Sequence, residues 1–218
     1  LREKDGGYGS ERQFMEPLGM YLRHDPVLRA GVMRRVELLT ADDQGDRSEL
    51  ACLLGSLYYT RAPEVGGFLS GFLVVPPTAG KRYGRNVLHA TLRWMPAYID
   101  ILQDTPDTAV EPVLRTIEER VAGLLEAFTS GQYTQDTGWV HGPDMVAGML
   151  MKFRNPTHHT LLRRHMLAFF AETGSTLMPT DSMDGAAFAR SYLQYREQYG
   201  DIPEISRLIR TTDPGGQD

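Results

Sequence analysis

Apolar positions along the chain recur every three or four residues, and alternating strand-like patterns are few, so the pattern predicts helices almost throughout. Residues 11–23 hold Phe14, Leu18, Tyr21 and Leu22 at helical spacing. Asp25-Pro26 starts a second helix, about 27–39, with Val27, Leu28, Val32, Val36 and Leu39 on one stripe and Arg29, Arg34 and Arg35 on the other face. The Asp/Gly-rich residues 41–46 read as a turn, and Asp46 with Glu49 is a capping signature for a third helix to about 60. Pro63 opens a fourth helix ending near Val75, where two prolines stop it. Beyond the linker 77–80, a helix over 81–94 is interrupted by Pro96, with one or two further turns at 97–103. Asp107 or Thr108 caps the next helix, 109–128, whose core stripe is Val113, Ile117, Val121, Leu124, Leu125 and Phe128. Shorter helices are expected over 145–153, 157–172, 186–199 and 202–210. The fold class is all-α: two helical bundles joined by a Pro-rich linker, plus a C-terminal helical segment. The expected domains are 1–76, an N-terminal four-helix bundle; 77–173, the linker and a middle bundle; and 174–218, the C-terminal segment.

The stretch 63–95, PEVGGFLSGFLVVPPTAGKRYGRNVLHATLRWM, is the most distinctive. Its apolar part is too short to cross a bilayer, which takes about 20 apolar residues. A buried helix, a proline joint and then a basic helix follow one another. In this it resembles the matrix proteins of influenza-type viruses, the orthomyxoviruses, in which an apolar helix ends in a Val-Pro step and an Arg-rich helix comes next. The resemblance runs back through residues 35–72, where the order of helix, acidic turn, helix, proline and Gly-rich helix is similar. It runs forward, more weakly, to 143–166, PDMVAGMLMKFRNPTHHTLLRRHM. About half the chain is covered, at low identity, and no single motif is diagnostic. The divergence suits a distant, thogotovirus-like branch better than influenza itself.

That resemblance implies a structural protein whose work is binding, with no reaction catalysed. It would self-assemble into a layer under the viral envelope, hold anionic lipid, and meet the viral ribonucleoprotein or RNA and the viral glycoprotein tails. It implies a place on the inner face of the virion envelope and, in the host, in the cytoplasm and at the plasma membrane. The nucleus stays open: the Lys/Arg cluster that serves nuclear import and ribonucleoprotein contact in influenza is replaced here by the acidic AYIDILQDTPD, so that role is not carried over.

Composition narrows the picture without deciding it. The chain has 218 residues, 41% hydrophobic and 23% charged, ordinary for a globular protein. The opening LREKDGGYGSER has no apolar core, so no signal peptide is expected there. The single cysteine, Cys52, excludes an intramolecular disulfide and is expected to be a small buried hydrophobe. Net charge is −5 but segregated. Lys81, Arg82, Arg85 and Arg93 stand in 79–99 with no acid, and Lys152, Arg154, Arg163 and Arg164 stand in 150–170 with none. Asp100, Asp104, Asp107, Glu111, Glu118 and Glu119 dominate the stretch between. The basic groups, with Arg34 and Arg35, are the candidate lipid- or polyanion-binding residues. The acids are a candidate self-association face; solvated helix faces whose charges mix in the fold are the bland alternative.

Among six histidines, His158 and His165 would share a helix face, but seven residues rise about 10.5 Å, too far for one zinc ion. No metal or cofactor is expected; the cysteines of the influenza Cys/His cluster are missing here. His158, His159 and His165 lie among Arg154, Arg163 and Arg164 and are pH-sensing candidates, with ordinary surface histidines as the alternative. The resemblance points the same way, because influenza-type matrix layers come apart in acidified endosomes. No nucleophile elbow, phosphate loop or metalloprotease motif is present, so an enzyme is not expected. The other readings are a helical RNA-coating nucleocapsid-type protein, and a small helical enzyme or regulator.

Overall fold

The computed structural model describes residues 8–41, 47–60, 62–74, 82–130, 142–173 and 183–211. Among them are ten α-helices, one short 3-10 turn and no strand, so the fold is all-α. The helices are α1 (Tyr8–His24), α2 (Pro26–Ala41), α3 (Arg47–Tyr59), α4 (Pro63–Ser70), α5 (Arg82–Gln103), α6 (Val110–Thr129), α7 (Gly142–Met151), α8 (His159–Thr173), α9 (Met183–Tyr199) and α10 (Pro203–Thr211). Contacts divide the chain into two compact units, 1–120 and 121–218, with the division inside α6. The expected boundaries at 77 and 174 fall in segments outside the described residues, as do the 77–80 linker and Asp46.

In the first unit α3 is the centre. It packs against α1, α2 and α5, and Leu50, Leu54, Leu57 and Tyr58 are buried. Tyr58 meets Tyr98 of α5 edge-on at 5.6 Å, and Tyr59 lies against Trp94. These rings bind α5 to the N-terminal helices, so the helix after the linker belongs to the first unit rather than to a separate middle bundle. Helix α5 also runs on through Pro96. A proline inside a helix removes one hydrogen bond. The buried run Leu88, Leu92, Met95, Ile99 and Leu102, spaced 4, 3, 4 and 3, outweighs that loss.

Helix α4 stops at Ser70, five residues short of the expected end; residues 71–72 continue as a turn. Gly66 is where α4 comes closest to its neighbours. A methyl group there would strike Val113 and sit 3.2 Å from the Tyr98 ring, and the Tyr98 hydroxyl donates to the Ala62 carbonyl at 2.7 Å. Gly67 has open space beside it, so the close approach needs only one of the pair. Cys52 is half-buried, not enclosed.

Helix α2 corrects the expected stripe. Val32, Val36 and Leu39 are buried, but Val27 and Leu28 face solvent and Arg29 is buried in their place. The Arg29 guanidinium donates to the carbonyls of Leu22 (2.8 Å) and Arg23 (3.2 Å) at the end of α1 and pairs with Glu64 in the first turn of α4.

The second unit is built from α7, α8 and α9, with the 3-10 turn of residues 156–158 against α8. Asn155 caps that turn through its side chain, taking the Thr157 N–H at 3.0 Å. Tyr192 of α9 organises the start of α10. Its hydroxyl accepts from the Ile202 N–H at 2.9 Å and lies 2.7 Å from Asp201 Oδ1 and 2.8 Å from Ser206 Oγ.

Burial holds the Tyr58 and Tyr98 phenols protonated well above the usual tyrosine range; beside Tyr98, the Glu64 charge adds to the effect. Free tyrosine ionises near pH 10. Above that pH the unfolded chain gives up protons that the folded chain retains. The contribution of these two phenols to stability is therefore complete below about pH 10 and falls as pH rises beyond it. The Tyr58 hydroxyl makes no well-formed hydrogen bond among the described residues, so Tyr58→Phe should fold. Its alkaline unfolding midpoint, followed by circular dichroism, is expected above that of the parent chain. An unchanged or lower midpoint would mean that Tyr58 is not a buried titrating group.

Candidate functional site

Among the described residues, the candidate basic side chains stand on α2 and α5 of the first unit and on α8 and the turn after α7 in the second. Lys81 lies outside the described residues, as do the side chains of Arg82 and Arg85; their backbone opens α5, whose first turn contains no acid. Arg93 is exposed beside the Trp94 ring, its guanidinium carbon 5.8 Å from the centroid. Arg35 is tied to Glu49 of α3 by two bonds of 2.7 Å, and Arg164 to Glu126 at 2.7 Å. Arg34 is exposed on α2. Lys152 is half-buried after α7. Arg154 is exposed and held at φ +50°, a left-handed conformation more usual for glycine, where the chain turns out of α7. Arg163 is exposed on α8, and its charge reaches the buried Tyr195 hydroxyl; burial raises the pKa of that phenol and Arg163 opposes the rise.

The acids follow the end of α5 and the start of α6, all within the first unit. Asp100, Asp104, Asp107, Glu111 and Glu119 are exposed, and Glu118 is half-buried. Asp107 is partly used as a cap, accepting the Ala109 N–H at 2.9 Å, and Glu111 pairs with Arg115 one turn on at 2.9 Å. An acidic surface thus exists on this stretch, and Asp107 and Glu111 within it are engaged locally.

The three histidines are separated in role. His165 is buried in α8, and its Nε2 lies 3.0 Å from Asp144 Oδ1 at the start of α7. Its near neighbour is a carboxylate, where the sequence suggested only arginines. With Asp144 ionised, Nε2 carries the proton toward it. The other carboxylate oxygen, Oδ2, is buried with no hydrogen-bond partner among the described residues. His159 stacks against Tyr195 and Tyr199 at 6.1 and 5.8 Å, and the Tyr199 hydroxyl returns to the Asn155 carbonyl at 3.2 Å. His158 is half-buried in the 3-10 turn. Among the described residues no three His, Cys, Asp or Glu side chains converge as metal ligands do, and no helix is long and apolar enough to cross a membrane.

Sequence reading missed the partners Glu49, Glu126 and Asp144. They lie 14, 38 and 21 residues from the side chains they meet, beyond any helical periodicity. The only local cue was that Asp144 sits in a helix first turn, where acids are favoured.

The chain matches no protein-family model, no curated protein and no solved structure.

Proposed function

We propose that this chain is a viral matrix-type protein of the orthomyxovirus kind, which self-associates into a layer on an anionic membrane and catalyses no reaction. The observation that carries this reading is the succession of α3, α4 and α5. A short apolar helix opened by Pro63 ends ahead of Pro76 and Pro77, and the next helix opens at Arg82 without an acid in its first turn. That is the order on which the resemblance to matrix proteins rests. The acidic surface at the α5–α6 corner offers a second charged face for neighbouring copies. In this reading Lys81, Arg82 and Arg85 supply the lipid contact, and the far side meets the ribonucleoprotein.

Each basic group near an anionic leaflet contributes about 1 kcal/mol. Changing Lys81, Arg82 and Arg85 together to Glu is therefore expected to weaken binding to phosphatidylserine vesicles by at least about a hundredfold. Flotation across a salt series is the measurement, with circular dichroism to establish that the variant is folded. The parent chain should float at low salt and less as salt rises. Unchanged flotation of the folded variant removes the assignment of these three residues. A parent chain that stays down at low salt removes the membrane reading.

A further inference from the structure

Eight large apolar side chains are exposed among the described residues, and six of them lie on α1 and α2: Phe14, Met20, Tyr21, Val27, Leu28 and Leu38. They are far from marginal, with Val27 83%, Tyr21 72%, Phe14 69% and Leu38 57% exposed. On α1, Phe14, Pro17 and Tyr21 recur at 3 and 4 residues, opposite the buried Met15, Gly19 and Leu22. On α2, Val27, Gly31, Arg34 and Leu38 recur at 4, 3 and 4, opposite the buried Arg29, Val32, Val36 and Leu39. Both helices are thus apolar on two sides, whereas a solvated helix keeps its outer face charged.

We propose that this outer face of α1 and α2 is a two-fold interface with a second copy of this chain. Charge argues against a lipid surface here. From Glu16 to Glu37 the exposed ionic groups are Glu16, Arg23, Asp25, Arg34, Arg35 and Glu37, a balanced set. Of these, Arg35 is already held by Glu49. An anionic membrane rewards an excess of cations, which is absent. The face is instead complementary to itself. Arg34 and Glu37 are one turn apart, and neither makes an ion pair among the described residues.

Consider a second α2 laid antiparallel, with the two-fold axis at Arg34. Glu37 of each copy then lies opposite Gly31 of the other, about 4.5 Å along the axis from Arg34. Two reciprocal Arg34–Glu37 pairs can form. Gly31 has no atom within 4 Å of where a side chain would begin, which leaves room for the incoming carboxylate. The same register sets Leu38 against Ala30 and Val27 against Ala41, a large residue over a small one each time. Helices of 17 and 16 residues are about 25 Å long. Side by side they offer roughly 500 Å² per copy, about 1,000 Å² in total, which falls below the standard range and in the class of weak, transient interfaces. The dimer is accordingly expected to be reversible, with a dissociation constant in the micromolar range.

Sedimentation equilibrium of the full chain without lipid tests this. The parent chain should show a concentration-dependent dimer. Val27→Glu with Leu38→Glu should weaken association at least tenfold while leaving thermal unfolding unchanged, since both side chains are exposed. Arg34→Glu alone should also weaken it, and adding Glu37→Arg should restore it. A parent chain that remains monomeric at 100 μM, a Val27→Glu/Leu38→Glu variant that still dimerises, or a charge swap that fails to restore association would each overturn the proposal. So would loss of vesicle flotation by Val27→Glu/Leu38→Glu with association intact, which would make lipid the occupant. The measurement needs no membrane, so its failure leaves the vesicle test of Lys81, Arg82 and Arg85 standing.

Discussion

Gly19→Ala is expected to destabilise the chain by about 3 kcal/mol, although the same change in an ordinary helix stabilises by up to about 1 kcal/mol. Helix α1 crosses α3 at this residue. A methyl group on Gly19 would collide with Tyr59 Cβ and stand 2.7 Å from the Ser56 carbonyl oxygen. Both obstacles belong to or adjoin the α3 backbone, so no rotamer change relieves them, and the two helices must separate. Separation would loosen Met15 and Leu22 on one side and Leu54 and Leu57 on the other, all buried. Gly123 of α6 is the internal control: it has open space beside it, so Gly123→Ala should be neutral or stabilising. Urea unfolding should therefore show a lowered midpoint for Gly19→Ala and an unchanged or raised one for Gly123→Ala. A Gly19→Ala chain at least as stable as the parent would mean that α1 and α3 do not meet here.

Arg29→Met is expected to cost a further large amount, about 3 kcal/mol, from a different cause. The side chain is buried, and it satisfies two carbonyls at the end of α1 that no helical N–H can reach. Methionine keeps the apolar stem and removes every donor. The Leu22 carbonyl is then left in a buried setting without a partner, and Glu64 loses its counter-charge. The two contributions can be separated, because the Glu64 side chain is 54% exposed. Glu64→Gln should cost less than about 1 kcal/mol, and the difference should shrink in high salt. Lysine should not rescue position 29, since one ammonium cannot reproduce a planar fork spanning α1 and α4. If Arg29→Met cost no more than Glu64→Gln in chemical unfolding, the capping role would be wrong and only a surface ion pair would remain.

Buried Arg29 and exposed Val27 are also where the sequence was hardest to read. An arginine usually marks the solvent face and a valine the core. Helix α2 breaks both expectations because its inner side must cap α1 and its outer side is itself apolar. With apolar residues on both sides, three- and four-residue spacing cannot tell one side from the other. The partners of two basic groups escape the sequence for a related reason: Arg35 and Arg164 each meet an acid from a separate helix.

Periodicity and end signals along the chain were enough to establish the all-helical class and most helix positions. Asp107 accepts the Ala109 N–H ahead of α6, Asn155 caps the turn before α8, and Pro63 opens α4, as their local chemistry requires. Such features depend on residues within one turn of each other, so sequence carries them whole. Tertiary structure alone decided that α5 continues through Pro96, that it packs with α3, that His165 faces Asp144, and that Gly19 and Gly66 are close contacts while Gly67 is not. Each of these depends on atoms brought together from separate helices. Their energies outweigh local preference only once the core has formed, so no spacing within a single helix announces them.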